Sequence, residues 1–251
     1  MVQTATARRA VSSAAMLLLL APLAACGGDG EDGTLTVLAA SSLTDVYEGL
    51  ATDFEEEQGV DVEFSFGSST DLAEQAADGA PGDVLSTADA TSMQIAEDAG
   101  VTGDVVTFAT NVLVIVTPPG NPAGVESLED LADATWVRCA DDVPCGRVAL
   151  SVLEASGITA EPVSLEEDVR SAVDKVISEE AEAGLVYASD AVAAGDDVTT
   201  IEIPGAEEHL TSYFAAPLGG AADTDLAQAW VDLLTSEAGQ QAFTDAGFTL
   251  P

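Results

Sequence analysis

Apolar and polar positions alternate between two periods along most of this chain. Thr34 to Ala39 reads as a short β-rich run, after which Leu43, Val46, Leu50 and Phe54 recur at helical spacing until Gly59 stops the helix. Asp61 to Phe66 alternates as a strand, and Leu72, Ala73 and Ala76 mark a short helix. Asp83 to Ser86 is a further strand after the Gly79-Ala80-Pro81-Gly82 turn. The opening is therefore βαβαβ. Val112 to Val116 is a nearly continuous apolar strand closed by Pro118-Pro119-Gly120, a break that marks passage into a second unit. There the alternation resumes: Trp136 to Cys139 as a strand, two helix faces carried by Val148, Ala149, Val152, Leu153 and by Val169, Val173, Val176, Ile177, then strands at Gly184–Tyr187 and Val198–Ile203. Ser212 to Ala216 reads as a returning strand. Leu226, Trp230, Leu233 and Leu234 then form a helical stripe, and a last short helix runs to Gly247. A chain that leaves and comes back fits two α/β lobes joined by two crossings, with a ligand cleft between them. The pattern alone also permits one continuous doubly wound sheet.

The remaining apolar run lies at the N-terminus. Arg8 and Arg9 precede Met16 to Leu20, and Leu23-Ala24-Ala25-Cys26 follows, the arrangement of a signal peptide with a lipobox. The expected organisation is a signal over residues 1–25, lipidation of Cys26, and a tether over 26–33, whose Gly/Asp run buries no apolar surface. Lobe 1 is expected to comprise 34–112 and 213–251, and lobe 2 to comprise 113–212. The protein is thus expected outside the cytoplasm, held to the membrane through Cys26.

Charge narrows the partners. The formal charge is −39, and removal of Arg8 and Arg9 with the signal takes it to −41, leaving Arg138, Arg147, Arg170 and Lys175 as the basic residues. Such a surface excludes nucleic acid and adhesion to anionic lipid through charge. A small anion is not excluded, because local donors act at short range while salt screens distant carboxylates beyond roughly 10 Å.

Three strand-to-helix turns are rich in small and hydroxyl residues: Ala39-Ala40-Ser41-Ser42-Leu43, Phe66-Gly67-Ser68-Ser69-Thr70 and Val143-Pro144-Cys145-Gly146. Each presents backbone N–H groups at a helix start, where oriented amides and the helix dipole bind anions without formal positive charge. Each taken singly is also an ordinary helix cap. Enzymatic signals are thin. His209 is the only histidine, Gly67-Ser68-Ser69-Thr70-Asp71 departs from a nucleophile elbow, and no phosphate-binding Gly-x-x-x-x-Gly-Lys loop occurs, so any ATP is hydrolysed by a partner. Cys139 and Cys145 are spaced across the third turn. In an oxidising compartment a disulfide is the leading expectation, with two buried thiols as the alternative.

Ala39-Ala40-Ser41-Ser42-Leu43-Thr44, the Ser68-Ser69 turn with Leu72, Gly79-Ala80-Pro81-Gly82-Asp83-Val84, Asp142-Val143-Pro144-Cys145-Gly146, Glu167-Asp168-Val169-Arg170 and Gly184-Leu185-Val186-Tyr187-Ala188-Ser189-Asp190-Ala191 occur in that order. Together with the ending Gly239 to Phe248, this series resembles the molybdate-binding proteins of bacterial molybdate importers over essentially the whole chain beyond the signal. The resemblance implies a type II periplasmic-binding-protein fold, each lobe a mixed sheet flanked by helices. It also implies a monomer without a cofactor or directly bound metal ion, whose ligand is molybdate or tungstate and whose partner is an ABC permease with a separate ATPase. Carried over by position, the oxyanion would be held by the hydroxyl and amide of Ser42 and of Ser69, the amides of Cys145 and Val169, and the Tyr187 hydroxyl. The family commonly has Ala where Cys145 stands. A same-fold protein for another oxyanion such as sulfate, and a surface thiol or hydrolytic enzyme, are the competing expectations.

Overall fold

The computed structural model describes residues 33–251, so the expected signal, Cys26 and the tether up to residue 32 lie outside the described residues. β1 (Gly33–Ala40) passes through a tight turn at Ser41–Leu43 into α1 (Thr44–Gln58), followed by β2 (Val60–Gly67), α2 (Ser69–Ala77), β3 (Val84–Thr87), α3 (Ala90–Asp98) and β4 (Val106–Asn111). β5 (Leu113–Thr117) opens the second run, with β6 (Trp136–Cys139), α4 (Pro144–Ala155), β7 (Ser164–Glu166), α5 (Val169–Ile177), β8 (Ala183–Tyr187), α6 (Ala188–Ala194) and β9 (Thr199–Glu202). β10 (Thr211–Pro217), α7 (Thr224–Thr235) and α8 (Glu237–Asp245) complete the chain. No described helix is long and apolar enough to cross a membrane.

The strands form two separate five-stranded sheets, ordered β2-β1-β3-β10-β4 and β7-β6-β8-β5-β9. This settles the choice between two α/β lobes and one continuous sheet in favour of two lobes. In each sheet three parallel strands stand beside one antiparallel strand, β10 in the first and β5 in the second. The chain leaves the first sheet at Asn111, enters the second at Leu113, and returns to the first through β10. The sequence pattern places a strand at Val112–Val116 but leaves β4 unassigned. The reason is physical: β4 carries Thr107, Thr110 and Asn111, and the last two are buried by the crossing rather than by an apolar alternation.

Each lobe has its own core. In the first, α1 turns Val46, Tyr47, Ala51 and Phe54 inward and ends at Gly59, whose left-handed backbone (φ 68°) closes the helix at no side-chain cost. Trp230 of α7 meets Tyr47 and Phe54 edge-on, at ring-centroid distances of 5.4 and 5.1 Å. In the second, Trp136, Val137, Leu185 and Val186 pack with Val173 and Val176 of α5 and with Ala149 and Val152 of α4. Both tryptophans are core residues, as their apolar settings along the sequence predict.

Asp83 shows why a carboxylate follows the Gly79–Gly82 turn. It is buried, and it accepts hydrogen bonds from the amides of Thr36 (2.7 Å) and Ala222 (2.8 Å), so it ties β1 to the segment that leads into α7. Replacing it by alanine takes the carboxylate acceptor from two part-buried amides. Asp83→Ala is expected to lower unfolding free energy by about 3 kcal/mol in urea denaturation; a loss under roughly 0.5 kcal/mol would mean that these amides find other acceptors.

Candidate functional site

Parallel strands carry their C-terminal ends to one side of a sheet, and the helices that follow begin there. Both lobes obey this rule and face each other across the cleft. After β1 comes the Ser41–Leu43 turn, after β2 comes α2 beginning at Ser69, after β6 comes α4 with Cys145 as its second residue, and after β7 comes α5 beginning at Val169. Tyr187 ends β8. Ser42, Ser69, Cys145, Val169 and Tyr187 all line a single cavity of about 20 Å³, together with residues that include Ser41, Ser68, Ala88 and Asp168. The cavity is small, and its walls come from both lobes. A larger hollow, about 540 Å³, lies elsewhere, between α1, α6 and α8, and has mostly apolar walls.

The cavity wall is held by its own hydrogen bonds. Ser68 caps α2, its hydroxyl accepting from the Asp71 amide at 3.5 Å, and the Ser69 hydroxyl accepts from the Ala88 amide at 3.0 Å. Ser42 and Tyr213 share a hydroxyl–hydroxyl bond of 2.8 Å. Asn111 donates to the Tyr213 hydroxyl at 3.4 Å and to Ser189 at 2.8 Å, which links the crossing strand to both lobes. Asp168 caps α5 by accepting from the Ser171 amide at 2.9 Å. The first-turn amides of Ser69, Cys145 and Val169 have no carbonyl one turn back within their helices to receive them, and all three residues line the cavity.

Sequence reasoning missed Asn111 and Tyr213, and no local motif announces them. A buried Asn at the end of a strand was the available signal.

Cys139 and Cys145 are joined by a disulfide, with their Cα atoms 5.7 Å apart. It fastens the end of β6 to the start of α4, beside the Cys145 amide. Arg138, buried on β6, donates to the Cys139 carbonyl and pairs with Asp141, both at 2.7 Å, bracing the same turn. Gly146 has no room for a side chain, since a Cβ there would lie 1.7 Å from the Ala140 carbonyl oxygen.

The titratable groups nearby are perturbed by burial. The Tyr187 phenol is pushed well above its ordinary range by desolvation, reinforced by Tyr213, Asp89 and Asp190. Thr211 acts the other way but lies outside hydrogen-bonding geometry, and its hydroxyl donates to the Ala88 carbonyl. The buried Tyr187 hydroxyl therefore has no hydrogen-bond partner among the described residues and keeps its proton as a donor. Behind it, Asp190 accepts from the Tyr187 amide at 3.1 Å through one oxygen, while its other oxygen is unpartnered. Desolvation raises the Asp190 carboxyl from 3.8 to about 7, against the pull of Arg170 and the Tyr187 amide.

Two predictions follow from this wall. Gly146→Ala should cost at least roughly 2 kcal/mol, because backbone must move, whereas Gly49→Ala in the open face of α1 should be neutral or stabilising by up to about 1 kcal/mol. Equal denaturation midpoints for the two variants would refute the steric account. For Asp190, folded and unfolded chains are both protonated below its ordinary 3.8. Between there and about 7 only the unfolded carboxyl ionises, so the folded state loses stability as pH rises, and the loss is complete above about 7. Asp190→Asn should thus gain on the wild type by a few kcal/mol between pH 4 and 8. A stability difference constant across that range would contradict a proton held at Asp190.

With the geometry in hand, the chain can be set beside known proteins. Residues 35–249 match the family described as bacterial extracellular solute-binding protein. The molybdate-binding protein ModA of Mycobacterium tuberculosis (strain ATCC 25618 / H37Rv) is 35% identical over 248 residues, covering 93% of this chain and 95% of that protein. Among solved structures, the periplasmic molybdate-binding protein of Azotobacter vinelandii shares the fold at a TM-score of 0.78 with 24% identity, over 86% of this chain and 99% of that one. The sulfate-binding protein SubI of Mycobacterium tuberculosis H37Rv does so at 0.76 with 18% identity, over 86% of each chain.

Proposed function

This chain belongs to the bacterial extracellular solute-binding proteins, among the molybdate-binding members of that family, and from this premise we propose that it captures molybdate or tungstate for an ABC importer. Lobe 1 (34–112 and 213–251) would supply Ser42 and Ser69, and lobe 2 (113–212) the amides of Cys145 and Val169 and the Tyr187 hydroxyl. Cys26 would anchor the protein to the membrane, and the permease and its ATPase would be separate chains.

The observation that carries the reading is the Tyr187 hydroxyl, a buried donor without an acceptor on a cavity already lined by helix starts from both lobes. Leaving such a donor unmet costs about 1–3 kcal/mol, which a ligand offering only acceptors recovers. Molybdate, tungstate and sulfate are such ligands near neutral pH, whereas hydrogen phosphate also carries a proton that needs an acceptor. Asp71 is not among the cavity-lining residues, and Asp168 has one oxygen committed to capping α5. Phosphate therefore ranks below molybdate and tungstate. Nothing in this donor set activates a nucleophile, so the reading is binding and release without turnover.

Calorimetric titration of the purified protein with molybdate, tungstate, sulfate and phosphate at one ionic strength tests the assignment. One-to-one binding of molybdate or tungstate with negligible sulfate and phosphate binding is expected; sulfate as the tightest ligand would overturn the substrate while leaving the fold untouched. Ser42→Ala and Ser69→Ala should each weaken binding by about tenfold or more, and Tyr187→Phe by less than both serines together. Wild-type affinity in both serine variants would refute the proposed ligand set.

A further inference from the structure

Of the basic residues in the described chain, none stands among those lining the cavity, yet two reach across the cleft between lobes. Arg147, on the first turns of α4, pairs through Nε with Asp89 Oδ2 at 2.7 Å. Its Nη2 donates to Ser92 at 3.0 Å and to Thr70 at 3.3 Å, and its Nη1 donates to the Asp142 carbonyl. Thr70 in turn donates to the Asp142 carbonyl at 2.9 Å. Asp89, Ser92 and Thr70 belong to the first lobe, while Arg147 and Asp142 belong to the second. On α5, Arg170 pairs with Asp45 of α1 in the same sense.

Several features make the Arg147 contact more than a surface ion pair. Both side chains are largely covered, at 27% and 15% exposure, so screening is reduced. Asp89 is fixed before Arg147 arrives, because its other oxygen caps α3 by accepting from the Ser92 amide at 2.8 Å. Arg147 lies two residues beyond Cys145, which lines the cavity, and Asp89 directly follows Ala88, which lines it from the other side. The planar guanidinium serves four acceptors at once, a geometry that lysine cannot reproduce. In a chain with 45 acids and 6 bases, closing two acidic lobes on an anion is opposed by like charge, and these arginines place positive charge between the lobes.

We infer that Arg147 and Asp89, assisted by Arg170 and Asp45, form a latch that holds the lobes closed over the anion site. They are positioning residues: they touch each other across the mouth of the cleft and set the rate at which the lobes part. The inference deepens the binding reading above and its kinetic test rests on it.

Asp89→Asn discriminates. Asparagine keeps the α3 cap but removes the ion pair. It also removes a negative charge beside an anion site, so simple electrostatics makes binding tighter, whereas loss of a latch makes it weaker. Molybdate dissociation, followed by stopped-flow in the presence of excess competing tungstate, is expected to quicken about tenfold in Asp89→Asn and in Arg147→Gln. The double variant should be little worse than Arg147→Gln alone, because the ion pair that Asp89→Asn removes is already gone there. Lys175→Gln, which removes a positive charge paired with Glu180 on the surface, should dissociate at the wild-type rate. Tighter or unchanged binding in Asp89→Asn overturns the latch, as does full additivity in the double variant. Small-angle scattering of the unliganded proteins reads closure without any ligand. A larger radius of gyration in Asp89→Asn and Arg147→Gln is expected, and equal radii overturn the latch. If wild type binds neither molybdate nor tungstate, the substrate reading fails and the scattering comparison alone decides the latch.

Discussion

A hydrogen-bond donor removed from water has to meet an acceptor, and the arrangement of this protein's cleft follows from that requirement. The first turns of helices carry donors that the helices cannot satisfy. Where such turns face bulk water the problem does not arise. Here they open into a small cavity shared with a buried tyrosine hydroxyl that has no partner among the described residues. A carboxylate is absent from the donor positions, and the nearest acids are otherwise employed, Asp168 as a helix cap and Asp190 in accepting from the Tyr187 amide, with its carboxyl raised by burial to about 7. The site is therefore rich in neutral donors and poor in acceptors, the reverse of the surface around it.

The convergence of these donors comes from topology used twice. β1-α1-β2-α2-β3 and β6-α4-β7-α5-β8 have the same strand order, and each is completed by an antiparallel strand on the same side. The turn after the first strand of each unit bears Ser42 or Cys145, the turn after the second bears Ser69 or Val169, and the end of the third leads to Ala88 or Tyr187. Equivalent positions in the two lobes thus meet across the cleft. The sequences of the units do not resemble each other, because the shared feature is where backbone amides emerge. Side chains differ accordingly: hydroxyls in the first lobe, a disulfide and a tyrosine in the second. Asn111 and Tyr213 sit on the strands that approach the lobe crossings, and their hydrogen bonds to Ser42 and Ser189 couple the crossings to the cavity wall.

What the sequence made legible was local. The strand-to-helix turns around Ser42 and Ser69, and the cysteines flanking the third turn, announce themselves within a few residues, since small and hydroxyl residues recur at helix starts where one alone would read as an ordinary cap. The alternation of periods likewise yielded most strands and helices. β4 escaped because its polar residues are buried by the crossing and break the pattern, and α3 because its inward face is built of small residues around Met93 and Ala96. The supporting contacts escaped for a different reason. Ser42 and Tyr213 are 171 positions apart, and Arg147 and Asp89 are 58 apart. Pairings at such distances leave no periodic trace in one sequence.

The placement of positive charge completes the argument. An anion site could be built by lining it with arginine and lysine, but permanent charge binds every anion, and a buried unpaired cation is costly when the ligand has gone. In this chain Arg138 braces the disulfide turn, Arg147 and Arg170 span the lobes, and Lys175 pairs on the surface, so each described cation already has a carboxylate. In the proposed reading, ligand recognition is left to amides and hydroxyls, whose directions would select shape and acceptor count. In the proposed latch, Arg147 and Arg170 hold the walls together. Separating those two tasks would allow selectivity to be set by the cavity and residence time by the rim, and would let a strongly acidic protein present a site suited to an anion.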